Sequence, residues 1–200
     1  MMGLKQRLLS AKLLALIPPA EEQVLSTLCD ELASAGVSVA LLLDGDEDDL
    51  RVLASSSAYD ALTGVFGDEK LALACGCDVV VDQRFPVAKP HKFSLRGAAC
   101  PSQDRAQEAL DSDEVDFLIV PGDLTKFMAE AAPADAPDSK PWFAMTAGDD
   151  VTELLEIGAK RLALFSDGVK PKIAEKTWKE VSGAWDAKMQ RLLFTLLSNG

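Results

Sequence analysis

The hydrophobic residues of this chain fall into short continuous runs, separated by helical or turn-rich stretches. Segment 141–168 shows the unit most completely: an apolar run at 142–145, an amphipathic helix that Gly158 ends, and a second run at 162–165. The apolar residues of the helix recur at i, i+3 and i+4, which gives one apolar face. A continuous apolar run is typical of a strand buried on both faces. The unit therefore predicts two parallel strands joined by a right-handed crossover.

The same pattern recurs along the whole chain and predicts eight strands. They are expected at 13–17, 39–43, 61–66, 79–81, 93–98, 117–120, 142–145 and 162–165. Helices are expected at the leucines near residues 4–9 and at 20–35, 47–56, 69–75 and 124–131, with another after Pro101. Pro86 and Pro90 leave little room for a helix in 83–92.

Eight apolar runs with intervening crossovers predict a single α/β domain over residues 1–200, a closed (β/α)8 TIM barrel. A short N-terminal helix precedes it and an extended C-terminal helix follows it. An open doubly wound sheet is the main alternative, but no glycine-rich nucleotide-binding motif follows any of the predicted strands.

The extended C-terminal helix carries an apolar stripe with spacings of three and four residues. Its members are Trp178, Val181, Trp185, Met189, Leu192 and Leu196. Most of this stripe is expected to pack on the barrel, and its distal part has a second interpretation, a subunit contact in a homodimer.

Composition narrows the possible partners and location. A net charge of −12 with a pI near 4.5 argues against nucleic-acid binding, since there is no basic stripe to displace counterions from phosphates. No apolar run approaches the ~20 residues of a membrane span, and the N-terminus lacks the cleavage site of a signal peptide. The spacing of the four cysteines favours reduced, buried thiols. A cytoplasmic protein is expected.

The working face of such a barrel is built from loops at the carboxyl ends of its strands. Aspartates are frequent at these positions, and a pair such as Asp68 and Asp82 has the hard oxygen ligands that Mg²⁺ prefers. The alternative interpretation is local, because aspartate also favours helix N-caps and turns.

Small residues after strands seven and eight predict a phosphate site for a small phosphorylated molecule. Gly148 and the turn Ser166, Asp167 and Gly168 would present backbone N–H groups to the anion. Further strand-end positions, which predict substrate contacts, are Gln83, Arg84 and Thr146. No catalytic residue stands out, and the predicted strands offer no lysine for a Schiff base.

Two segments of the chain resemble those of a known family: VFGDEKLALACGCDVVVDQ and DFLIVPGDLTK. They resemble the thiamine phosphate synthase and TenI-like barrels, in which the second segment ends in threonine–lysine near a thiazole phosphate. The resemblance implies that Thr125 and Lys126 contact a phosphate. It also implies a transferase of thiamine biosynthesis, which joins a pyrimidine diphosphate to the thiazole phosphate with Mg²⁺.

The chain departs from that family after strand two. The family has a glutamine–x–arginine–x–lysine motif for the diphosphate where this chain has LLLDG, so synthase turnover is expected to be weak or absent. One alternative is therefore a non-catalytic relative that binds a ligand or a partner. The other is the keto-deoxy-phosphogluconate aldolases, which the chain also resembles, although their Schiff-base lysine falls on Ile119 or Ala163.

Overall fold

Eight parallel strands close into a barrel in sequence order, with the last strand hydrogen-bonded to the first. The computed structural model describes residues 3–56, 61–134, 136, 138–165, 173–177 and 179–181. The predicted (β/α)8 barrel is therefore confirmed, and the open sheet is excluded. The strands are β1 (Leu13–Ile17), β2 (Val37–Leu43), β3 (Leu62–Phe66), β4 (Val79–Asp82), β5 (Leu95–Ala99), β6 (Phe117–Val120), β7 (Trp142–Thr146) and β8 (Leu162–Leu164).

Helices surround the barrel and one precedes it. They are α1 (Leu4–Ser10), α2 (Glu22–Ser34), α3 (Glu47–Ser56), α4 (Glu69–Cys75), α5 (Gln103–Asp111), α6 (Thr125–Ala131) and α7 (Val151–Ile157). A 3₁₀ turn at Gly122–Leu124 leads into α6. The connection from β4 to β5 contains no helix, as its two prolines predicted.

The barrel interior is a packed apolar core. Leu14, Val39 and Ile119 belong to its inner cluster, in which each strand contributes alternate residues. Phe117 and Phe143 meet edge to face inside it, with ring centroids 6.0 Å apart. The short helix α1 closes the amino-terminal end of the barrel, hereafter the floor. Its Leu8 is fully buried in the same inner cluster.

A second apolar layer lies between the strands and the helices. Leu25 and Leu32 of α2 are buried there, whereas Val24 is 56% exposed. Helix α5 begins after Pro101, as predicted: Ser102 is its N-cap and accepts a hydrogen bond from the Arg105 N–H. Gly76 ends α4 in the left-handed conformation.

Residues 173–177 and 179–181 are helical and pack on the barrel. Ala174, Thr177 and Val181 are buried, and Val181, the one stripe residue that the structure describes, thus packs as predicted. The other five residues of the stripe lie outside the described residues, so the homodimer stays a prediction. No helix in the described part of the chain is long and apolar enough to cross a membrane.

Three of the four cysteines, Cys29, Cys77 and Cys100, are buried free thiols, as predicted, and Cys75 is exposed. Burial, followed by the neighbouring Cys75 and Asp78, raises the pKa of Cys77 to about 12. These thiols are therefore protonated at neutral pH and act as small apolar groups.

Gly97 of β5 makes room for the ring of Phe117, and this gives a first prediction. A Cβ atom on Gly97 would lie 2.5 Å from Phe117 Cζ and 2.8 Å from Val81 Cγ2. Gly97→Ala is therefore expected to lower the free energy of unfolding by about 1–3 kcal/mol in urea titrations. Gly3→Ala is the matched control, because nothing lies within 4 Å of the added atom. Equal stability of the two variants would show that the barrel interior is less tightly filled.

Candidate functional site: the carboxyl end of the barrel

The carboxyl end of the barrel, hereafter the mouth, has an apolar inner rim. Leu43, Phe66 and Met145 are the last inward residues of β2, β3 and β7, and each is partly buried against the inner cluster. The Phe165 N–H continues the ladder by donating to Thr146 O at 2.9 Å, and alternation places Phe165 on the inner side after Ala163. Phe165 is 47% exposed, so apolar surface remains open to solvent at the mouth.

A polar cluster lies beside this rim, where β7 leads into α7. The Thr146 hydroxyl donates to the Asp150 carboxylate and accepts a hydrogen bond of 2.8 Å from the Gly148 N–H. Thr146 is 3% exposed, so both bonds are largely shielded from water. Gly148 has a φ of 103° and lies close to Ile173. A Cβ atom added to Gly148 would lie 2.7 Å from Ile173 Cγ2.

Asp150 also faces the end of β6. A Cβ atom on Gly122 would lie 3.5 Å from Asp150 Oδ2, so the carboxylate packs against the 3₁₀ turn. Asp150 occupies the N-cap position of α7, but its side chain makes no capping hydrogen bond. Its carboxylate instead accepts the bond from Thr146 at the end of β7, four residues earlier in the same loop.

This geometry bears on the predicted phosphate site. The Gly148 N–H is already used by Thr146, and the Asp150 carboxylate lies beside it, so the loop after β7 offers an anion little. Thr125 is fully buried, and its hydroxyl has no hydrogen-bond partner among the described residues, while Lys126 is exposed. The rest of the predicted phosphate site lies outside the described residues: Ser166, Asp167 and Gly168.

The two aspartates predicted to bind Mg²⁺ are engaged by the backbone. Asp68 Oδ1 accepts a hydrogen bond of 2.9 Å from the Leu71 N–H and caps α4. Asp82 Oδ1 accepts one of 2.8 Å from the Arg84 N–H. In the described part of the chain no three His, Cys, Asp or Glu side chains form a group that could hold a metal ion. Each carboxylate therefore has one oxygen engaged by the backbone, Mg²⁺ binding by this pair stays a prediction, and no chemical step is assigned to the metal.

The predicted substrate contacts after β4 are exposed and tied to the helix layer. Gln83 and Arg84 are both exposed. The Gln83 carbonyl accepts a hydrogen bond of 2.9 Å from Arg105 of α5, whose guanidinium also lies 4.3 Å from the centre of the Phe85 ring. The structure thus connects the loop after β4 to α5, and a substrate contact by Gln83 or Arg84 stays a prediction.

None of the eight strands contains a lysine. Both positions to which the aldolase lysine would align are apolar and buried: Ile119 points into the barrel, as does Ala163. The only cation within a strand is Arg96 of β5, which follows the inward Leu95 and so lies on the outer side. Among the described residues, the inner face of the barrel therefore carries no lysine.

No protein-family model matches the chain, and no curated protein matches its sequence. Solved structures do match. The 2-keto-3-deoxy-6-phosphogluconate aldolase of Zymomonas mobilis with 3-phosphoglycerate has a TM-score of 0.64 at 13% identity, over 90% of this chain and 94% of that one.

Two further matches belong to related barrel enzymes. The corresponding aldolase of Legionella pneumophila, with pyruvate captured as a covalent carbinolamine intermediate, has a TM-score of 0.59 at 10% identity over 92% of this chain and 96% of that one. A dihydrodipicolinate synthase of Bacillus anthracis has a TM-score of 0.64 at 8% identity, over 90% of this chain and 77% of that one. At these identities the likeness establishes the fold alone.

These matches correct the resemblance inferred from the sequence. The matching structures reported above are aldolase and dihydrodipicolinate synthase barrels, so the identification as a thiamine phosphate synthase relative was wrong. The segments that carried it, VFGDEKLALACGCDVVVDQ and DFLIVPGDLTK, are strand–helix units that many closed barrels share. The transferase activity and the thiamine precursors lose their basis with it.

The Thr146 cluster gives a second prediction. Thr146→Val keeps the shape of the side chain but leaves Asp150 without its hydroxyl donor and the Gly148 N–H without its acceptor. A loss of about 1–3 kcal/mol in the free energy of unfolding is expected from urea titration, because buried polar groups would lose their partners. Thr152→Val on the exposed side of α7 is the control and should stay within about 0.5 kcal/mol of the parent.

Proteins can thus share this barrel fold and differ in the residues that line it. By its fold this chain is a closed (β/α)8 barrel, similar to the barrels of these aldolases.

Proposed function

We propose that this chain is a ligand-binding barrel of the aldolase-like fold that performs no Schiff-base catalysis. The observation that carries the proposal is the apolar inner face: the aldolase lysine would fall on Ile119 or on Ala163, and both are apolar and buried. A non-catalytic relative was one of the alternatives that the sequence left open. The aldolase alternative shares the fold but requires a group that the eight strands do not supply.

The chemistry of the structurally similar enzymes explains why the missing lysine matters for catalysis. A carbinolamine forms when an amine adds to a carbonyl carbon, and it loses water to give the Schiff base. The Legionella pneumophila enzyme has such an intermediate with pyruvate. A lysine at the inner position of β6 would need a polar pocket to hold its charge, and Ile119 instead packs in the apolar inner cluster.

The rim of the mouth supports an uncharged, largely apolar ligand. Leu43, Phe66, Met145 and Phe165 belong to β2, β3, β7 and the end of β8, which with β1 form a continuous arc of the barrel. A small molecule that covers this arc would remove its exposed apolar surface from water. A phosphorylated ligand, predicted from the sequence, would have to lose its hydration there without a free N–H from Gly148.

Chemical trapping tests the absence of Schiff-base catalysis over the whole chain. The protein is incubated with pyruvate and sodium borohydride, which reduces a Schiff base to a stable secondary amine, and its intact mass is measured. We expect no reduced pyruvate adduct above the level of bovine serum albumin treated in the same way. Stoichiometric labelling of one lysine, removed by changing that lysine to arginine, would show that the chain is an aldolase-type enzyme.

Binding of a neutral apolar dye tests the mouth itself. Nile red should bind with a fluorescence increase, and Met145→Gln should weaken binding by about tenfold, because a polar amide replaces an apolar contact of nearly equal size. Leu73→Gln is the control, since Leu73 is 44% exposed but lies on α4, away from the mouth. Equal weakening by the two changes, or displacement of the dye by millimolar phosphate, would contradict the proposal.

A further inference from the structure

Three cations lie together at the floor of the barrel, at the end opposite to the mouth. Lys12 directly precedes β1, and Lys160 and Arg161 directly precede β8. The two strands pair with Leu13 opposite Leu162, and the Leu162 N–H donates to Lys12 O at 2.9 Å. The register therefore places Lys12 and Arg161 side by side on neighbouring strands, which lie about 5 Å apart.

Alternation along the strands points both side chains the same way. Leu13 and Leu162 belong to the outer apolar layer, and Leu14 and Ala163 to the inner cluster. Residues 12 and 161 are therefore on the inner side, at the edge of the floor that α1 closes. Arg161 confirms this direction, because its Nη2 donates to Leu9 O of α1 at 3.0 Å.

The proximity of these cations is electrostatically unfavourable. Burial, followed by the charges of Arg161 and Lys160, lowers the pKa of Lys12 to about 8. Burial also lowers the pKa of the Arg161 guanidinium. The chain has 32 acidic residues and a net charge of −12, yet Arg161 forms no ion pair with a described carboxylate.

The hydrogen bond to α1 satisfies only part of the hydrogen-bonding capacity of the Arg161 guanidinium. Leu9 O is one of the carbonyls at the carboxyl end of α1, where a cation is favourable. This contact uses one of the five N–H donors of the guanidinium. The Nε atom is buried and has no hydrogen-bond partner among the described residues. A buried donor without a partner is uncommon in proteins and calls for an acceptor.

We propose that the floor of the barrel binds a phosphate-type oxyanion between the Arg161 guanidinium and the Lys12 ammonium. A tetrahedral dianion offers acceptor oxygens to Nε and to the remaining N–H groups, in the paired geometry that arginine favours. It also offsets the repulsion among the three cations. All three side chains are partly exposed, so the anion reaches them from solvent.

This site differs from the phosphate site that the sequence predicted. The predicted site lies after β7 and β8, at the mouth, whereas Lys12 and Arg161 precede β1 and β8. Binding at the floor therefore does not depend on the function proposed for the mouth. The shared ligand chemistry is an oxyanion, which either inorganic phosphate or a small phosphomonoester supplies.

Thermal unfolding tests the proposal on the full chain. Sodium phosphate, compared with sodium chloride at equal ionic strength, should raise Tm saturably, by on the order of 3–6 °C well above Kd. Lys12→Gln should abolish this shift, and Arg161→Lys, which keeps the charge but loses the fork of N–H donors, should reduce it. Lys70→Gln is the matched control, because Lys70 is exposed on α4, and it should keep the full shift.

A second series identifies the source of the oxyanion. Glycerol phosphate in place of inorganic phosphate should give a shift that Lys12→Gln also abolishes if a phosphomonoester is accepted, and no shift if the floor admits only the free ion. Either result, with the phosphate shift in place, supports the site. A phosphate shift that does not saturate, or that Lys12→Gln retains in full, would overturn it.

Discussion

The structure depends on filling the inside of a closed eight-stranded barrel with side chains. A parallel barrel has no free edges, so its register and diameter are set by what the inward positions contain. Phe117 and Phe143 supply the largest of these side chains, and Gly97 is small because the Phe117 ring occupies its side of the barrel. Helix α1 completes the seal by placing Leu8 against the same cluster.

This requirement also decides where chemistry is available. An apolar interior of this kind disfavours charged groups along the strands, because an ion there would lose its hydration without a partner. In the Legionella pneumophila aldolase, which shares the fold, pyruvate is captured as a covalent carbinolamine, and this requires an amine. Here the inner positions Ile119 and Ala163 are apolar, and the polar contacts described above lie at the two ends of the barrel.

Sequence patterns predicted the strands better than the site, for a physical reason. The strands β1 and β6 were predicted to the residue, because each is a continuous apolar run that ends where the ladder ends. Phe93 and Phe165 were assigned to strands by the same rule and are instead exposed beyond them. Asp150 shows the limit for the site: it stands at the N-cap of α7, yet its carboxylate accepts a hydrogen bond from the Thr146 hydroxyl four residues earlier, a contact that no helix-capping pattern predicts.

The two ends of the barrel differ in how their charged residues are paired. At the mouth, Asp150 has a local donor in Thr146, and the apolar rim of β2, β3 and β7 is what remains to meet a ligand. At the floor, Leu9 and Arg161 are 152 residues apart in the chain, and closing the barrel brings them together. Closure of the barrel also places Lys12 beside Arg161, and their charges repel each other. No local sequence feature predicts this repulsion. An anion at that seam would relieve this repulsion and strengthen the contact between β8 and the helix that closes the floor.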